Sequence, residues 1–197
     1  MRRALRYAED MGHRARKPAT YAELEALPEN LVGEILDGEL YASPRPAIAH
    51  ARATSRLGAR LGRAFDDDDG EGPGGWILLD EPELHFGDDV VVPDVAGWRR
   101  TRMPELPTTA FLTLAPDWVC ETLSTSTEAL DRGRKRRVYG REGIQYLWFV
   151  NPTVKTLEVH RLDGETYRVI ATHSGDDVVR AEPFDAVELP LGRLWER

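Results

Sequence analysis

Three residues whose types suit a single task follow one another along this sequence: Asp94 in VVVPDVAGW, Glu121 inside the apolar run WVCETL, and Lys135 in the charged stretch DRGRKRR. Carboxylate oxygens are hard ligands for Mg²⁺ or Mn²⁺, ions that need few protein ligands because water and substrate phosphate complete the shell. A lysine nearby can orient or activate an attacking water and offset phosphate charge. Such a set could hydrolyse a phosphate ester.

Each member also has a plainer reading. An ionised Glu121 within an apolar strand is costly to bury unless it is paired or holds a metal. Period-2 alternation puts it on one face with Val119 and Leu123, with Trp118, Cys120 and Thr122 on the other, and both faces look apolar. Its alternatives are an outward-facing or arginine-paired glutamate. Pro-Asp commonly marks a turn, yet Asp94 follows VVV and precedes VA, inside a strand pattern. Lys135 shares a helix face with Asp131 and Tyr139, and on spacing alone it reads as one end of an exposed i,i+4 ion pair. Glu34, before a hairpin turn, is either an additional ligand or an ordinary edge-strand charge. His50 could contact phosphate, act as an acid, or simply open a helix. Arg52, Arg56, Arg60 and Arg63 form a basic stripe, and Arg134 belongs to a patch with Arg132, Arg136 and Arg137. His50, Arg52, Arg56 and Arg134 are the candidate nucleic-acid contacts, although charge runs are usually solvated faces. His13, His50, His85, His160 and His173 show no metal-ligand spacing, and no Walker loop, GxGxxG or GxSxG occurs. Zinc-hydrolase, nucleotide-binding and serine-hydrolase chemistries therefore lack support.

The elements that must position these residues can be sketched. Thr20 with Glu23 makes a capping box opening the short helix AELEAL, closed by Pro28. LVGEIL and ELYA flank Asp37-Gly38, a strong hairpin signal, and Pro44 and Pro46 end it. From His50 to Phe65 the apolar residues Ala53, Leu57, Leu61, Ala64 and Phe65 recur at helical spacing. DDDDGEGPGG is a loop, because a run of like charge followed by Pro and Gly cannot pack. Strands are expected at WILLDEPELHF and VVVPDVAGW, joined by a Gly87-Asp88-Asp89 turn. A Pro-rich stretch then runs to Pro116, followed by the strand DWVCETLS, a helix from about Thr127 to Arg141 and the strand QYLWFVNP. The tail reads as a meander: TLEVHRL, a turn at Asp163-Gly164, TYRVIATH, then short strands around Val178 and Val187. Hairpins flanking one crossover predict an α/β (α+β mixed) fold with a mixed, curved sheet flanked by helices.

Composition narrows the function. With 197 residues the chain suits one domain with a sizeable core, and the expected organisation is a basic, poorly ordered segment 1–19 and one domain over 20–197. No apolar run approaches the roughly 20 residues of a membrane span, and the start MRRALRYAEDMGHRARK lacks the apolar segment of a secretory signal. The expectation is a cytoplasmic protein with no membrane association. A lone Cys120 within WVC supports no disulfide and no cysteine-rich zinc site. A net charge of -8 argues against coating nucleic acid by bulk attraction, so any such contact must be local.

Taken together, these residues resemble the Uma-type restriction endonuclease family, a bacterial branch of the PD-(D/E)XK nuclease superfamily. The resemblance runs from about Thr20 to Arg161, over YAELEALPENLVGEILDGELYASPRPAIAH, VVVPDVAGW, APDWVCETLSTSTEALDRGRKRRVYGREGIQYLWFVNP and TLEVHRL. It implies a restriction-endonuclease-like core in which Asp94 of the PD motif and Glu121 of the ExLS segment bind Mg²⁺ (or Mn²⁺). Similar proteins place a lysine from the next helix at the site, which carries onto Lys135, and Glu34 matches the glutamate before their DGEL hairpin. The chain departs from the simplest motif at Leu123, where the lysine of (D/E)XK would stand.

The function this implies is metal-dependent endonucleolytic hydrolysis of DNA, with Asp94, Glu121, Lys135 and Glu34 as the catalytic set. The alternatives are a catalytically weak or inactive nuclease-fold module that binds nucleic acid or regulates, and a carboxylate-pair hydrolase of a non-nucleic substrate. DNA is the expected partner, and a homodimer would let two sites cut two strands.

Overall fold

The structure, a computed structural model, describes residues 17–67 and 72–196. Most of the segment expected to be poorly ordered, and residues 68–71 of the acidic loop, lie outside the described residues. Contacts begin by Ala19, whose N–H donates to the Gly38 carbonyl at 2.8 Å, one position before the expected boundary.

Helix α1 (Tyr21–Glu25) starts at the capping box, with both the Thr20 and the Glu23 arms formed. Strands β1 (Leu31–Leu36) and β2 (Glu39–Pro44) pair antiparallel across Asp37-Gly38. Both turn residues have positive φ, 52° and 76°, as the favoured two-residue hairpin turn requires. Helix α2 (Ile48–Leu61) continues through a π turn (Gly62–Asp66) and buries Ala53, Leu57, Leu61 and Phe65.

The two long strands expected next do not form as single elements. WILLDEPELHF becomes β3 (Trp76–Asp80) and β4 (Leu84–Phe86), and VVVPDVAGW becomes β5 (Asp89–Val91) and β6 (Val95–Arg99). The breaks coincide in space: the Glu81 N–H donates to the Asp94 carbonyl at 3.1 Å. Glu81 adopts φ 46°, and Pro93 has no N–H to give a ladder. β4 and β5 join the hairpin in a four-stranded sheet of order β2-β1-β5-β4.

β7 (Trp118–Thr122) leads into α3 (Glu128–Leu130), a π turn (Asp131–Lys135) and α4 (Arg136–Arg141), and returns as β8 (Tyr146–Asn151) parallel to β7. β9 (Thr156–Asp163) and β10 (Thr166–Ser174) complete a mixed six-stranded sheet of order β10-β9-β8-β7-β6-β3. The tail forms β11 (Val178–Val179), β12 (Leu189–Pro190) and α5 (Gly192–Trp195). The last strand thus lies at Leu189, and Val187 instead packs against the core.

Alternation along β7 divides the core. Trp118 and Cys120 pack with α2 and the tail, while Val119 and Leu123 pack with Val138, Tyr139 and Phe149 on the other side. Every residue of β7 is buried, as an interior strand covered on both faces demands. Among the described residues no helix is long and apolar enough to cross a membrane.

Candidate active site

The antiparallel register of β6 and β7 pairs Val95 with Cys120 and Ala96 with Val119. Continued by one step, it sets Asp94 opposite Glu121, at the point where β6 ends and the chain crosses to the other sheet. The Thr122 N–H confirms the approach by donating to Oδ2 of Asp94 at 2.6 Å. Asp94 therefore sits in a strand break rather than within a strand, which frees its side chain from the pleat.

Glu34 enters from β1. The expected edge-strand charge is overturned, because β1 lies between β2 and β5 and Glu34 is only 6% exposed. Its Oε1 accepts the Val92 N–H at 2.9 Å, just past the end of β5. Lys135 comes from the π turn, a winding that recurs at functional sites. The exposed ion pair expected from spacing alone is likewise overturned: Lys135 is 3% exposed and the Asp131 with which it shares a face is 4% exposed. Nζ of Lys135 lies 2.9 Å from Glu121 Oε1, 3.1 Å from Glu34 Oε1 and 3.7 Å from Asp131 Oδ1, and donates to the Val92 carbonyl at 3.0 Å. The Tyr139 hydroxyl donates to the same Glu121 Oε1.

His50, buried near the start of α2, holds Nε2 at 3.2 Å from Asp94 Oδ2. Thr54, a turn further along, donates to the Thr122 hydroxyl at 2.8 Å, tying α2 to β7 beside the site. Glu34, His50, Asp94, Glu121, Asp131 and Lys135 all line one cavity of about 300 Å³. Three carboxylates thus surround one buried ammonium, and a fourth, Asp94, lines the same cavity. Burial pushes the Glu121 carboxyl well above the ordinary range; Lys135 opposes the rise, and Asp131, Asp94 and Glu34 add to it. Burial pushes Lys135 down, but Glu121 and Glu34 outweigh it, so the ammonium stays charged.

The donor set fits a small, hard divalent cation. The cluster carries more carboxylates than its lysine can balance, and a cation beside Asp94 and Glu121 would relieve the repulsion. Asp94 is more open than the acids that pair with Lys135, with 16% of its side chain exposed against 2% for Glu121, 5% for Asp131 and 7% for Glu34. Among the described residues no group of three or more His, Cys, Asp or Glu side chains is arranged to hold a metal ion. Mg²⁺ does not require one, since it binds through one or two carboxylates with water and phosphate.

The remaining sequence candidates lie elsewhere. Arg134 is 3.0 Å from Glu39 and stacks over Tyr41, outside the cavity. Arg52 donates to the Glu196 carbonyl at 3.4 Å, and Arg56 lines a different cleft. Cys120 is fully buried, and burial pushes its thiol up, away from reactivity. Asp131 and Tyr139, which share the helix face of Lys135, belong to the site as well, and that shared face is the sequence signal for them.

A family model described as "Uma2: Putative restriction endonuclease" matches residues 18–192. Among solved structures, a "putative nuclease" from Anabaena variabilis superposes with a TM-score of 0.72 at 22% identity, covering 90% of this chain and 98% of its own. That likeness carries the fold. No curated protein matches the chain.

Proposed function

Because this chain belongs to the Uma2 family, whose model spans nearly all of it, we propose that the cavity hydrolyses phosphodiester bonds in DNA with a divalent cation, Mg²⁺ or Mn²⁺, held by Asp94 and Glu121. The observation that carries this is the convergence of Glu34, Glu121 and Asp131 on Lys135 in one cavity that Asp94 also lines. The cation supplies Lewis acidity toward a phosphate oxygen and offsets charge developing there. The chain's own groups do the rest. Lys135, charged, spends its three N–H groups on Glu121, Glu34 and the Val92 carbonyl, and turns one of them to a water or a phosphate oxygen when a cation takes its place beside Glu121. Glu34 locks the end of β5 and the lysine together. Tyr139 holds one oxygen of Glu121, leaving the carboxylate in a single orientation. His50 and the Thr122 N–H do the same for Asp94.

Leu123 fills the usual lysine position and is 1% exposed in the apolar core. The ammonium comes instead from Lys135, on the next helix, and reaches the same carboxylate. A nucleic-acid-binding module with a silent site is the second possibility, favoured by the closed ion pairs that already occupy Lys135. A plasmid-nicking and oligonucleotide-cleavage assay with Mg²⁺ or Mn²⁺ separates the two. Metal-dependent cleavage abolished by Asp94→Ala supports hydrolysis, and no cleavage of any DNA form with either metal rejects it.

A further inference from the structure

Several arginines after β7 are spent on protein. Arg132 lies 2.5 Å from Glu158 and 2.8 Å from Glu128, Arg134 lies 3.0 Å from Glu39, Arg136 donates to the Tyr167 carbonyl at 2.6 Å, and Arg141 pairs with Asp89. Among the described residues, Arg56, Arg60 and Arg63, on α2 and its π turn, have no carboxylate partner. They line a cleft of about 450 Å³ with Ala59, Val187 and Glu188. Of the described acids near it, Glu188 lies 3.5 Å from Arg180 and Asp66 lies 2.9 Å from Arg100.

A charged helix face is usually just solvated. This one gathers three arginines without a carboxylate partner among the described residues on one cleft, and Nε of Arg56 and Nε of Arg60, like that of Arg136, are buried with no hydrogen-bond partner. A buried donor without an acceptor is costly, and an anionic ligand in the cleft would provide one. Guanidinium forks match phosphate oxygens in geometry and charge. At 1.5 Å rise per residue, Arg56, Arg60 and Arg63 follow His50 by about 9, 15 and 20 Å along the helix axis. One helix therefore has its first turn in the catalytic cavity and its far half in a basic cleft.

We propose that the Arg56–Arg60–Arg63 cleft is a second binding site, distinct from the catalytic cavity, that holds the phosphodiester backbone of nucleic acid. The choice of nucleic acid as the polyanion rests on the hydrolytic reading above. The contacts are to phosphate, so the site contributes affinity and orientation and no sequence preference.

The test is fluorescence anisotropy of a fluorescein-labelled DNA duplex in EDTA over a salt series, with wild type, R56Q/R60Q/R63Q, each single glutamine variant and R134Q. Each lost phosphate contact lowers the slope of log K against log salt by about 0.9, so the triple variant should be shallower by about 2.7 and bind roughly tenfold or more weakly at low salt. The single variants each give a fraction of this if the triple variant fails to fold. R134Q should keep the wild-type slope. Wild-type affinity and slope in the glutamine variants overturn the proposal. Mn²⁺ titration and cleavage, run on the same proteins, keep the two claims apart. Cleavage with an unaltered salt slope in the triple variant sinks the cleft alone, whereas a slope lost with the arginines in a protein that neither binds Mn²⁺ nor cleaves sinks the hydrolytic reading alone.

Discussion

Nζ of Lys135 stands 2.9 Å from Oε1 of Glu121, in a cavity where the two side chains are 4% and 2% exposed. Removing one partner of a buried pair leaves the other charge uncompensated, at about 3–5 kcal/mol. Lys135→Met should therefore destabilise the fold by about that amount in EDTA, measured by urea denaturation. Mn²⁺ should restore part of the loss by replacing the missing positive charge. A variant as stable as wild type would show that Glu121 is already neutral beside the lysine.

Tyr139 is fully buried and its hydroxyl donates to the same Glu121 oxygen. A hydrogen bond to a charged acceptor contributes about 1.5–3 kcal/mol. Tyr139→Phe should lose about that much stability and weaken Mn²⁺ binding, since Glu121 is freed to rotate and its carboxyl moves further up. Unchanged stability and metal affinity would remove Tyr139 from the site.

Burial pushes the Asp131 carboxyl up from 3.8 to about 6, with Lys135 opposing. The folded protein therefore keeps a proton that the unfolded chain has already released. This contribution to stability is fully present below about pH 4 and lost as pH rises through about 6. Relative to Asp131→Asn, wild type should lose roughly 3 kcal/mol between about pH 4 and pH 7, at about 1.4 kcal/mol per pKa unit. Parallel denaturation series across that range would read it, and a difference independent of pH would contradict it.

Asp94 and Glu121 were legible as candidate ligands because chemistry and pattern conflict at them. A glutamate inside WVCETL has no apolar reason to be there, and a Pro-Asp step inside VVVPDVA interrupts what otherwise reads as a strand. What spacing could not show was depth. Asp131, Lys135 and Tyr139 repeat every fourth residue whether their face meets water or the back of β7, and the surrounding arginines suggested water. Tertiary pairing of those arginines with Glu39, Glu158 and Asp89 removed the patch from solvent contact with the site. The division into two sheets has a signal in the sequence. The break falls at Asp80-Glu81-Pro82-Glu83, residue types depleted in strands, where Glu81 takes a positive φ and its N–H donates to the Asp94 carbonyl as the strand changes sheets.

The tail is joined to the core through Phe184, which is 2% exposed and lies 4.8 Å from Phe65, 4.8 Å from Trp76 and 4.9 Å from Trp118. Phe184→Ala should cost about 3–5 kcal/mol, as deletion of a buried aromatic ring does. A loss under about 1 kcal/mol by urea denaturation would mean that the tail is an appendage.

The measurement closest to the central claim is calorimetric titration of Mn²⁺ into wild type, Asp94→Asn and Glu121→Gln. Each substitution keeps the shape of the side chain and removes one ligand charge. Two carboxylates sharing one cation predict saturable binding in wild type and loss of most of the affinity in each variant. Wild type that takes up no Mn²⁺, or variants that bind it as tightly as wild type, would contradict the assignment of Asp94 and Glu121.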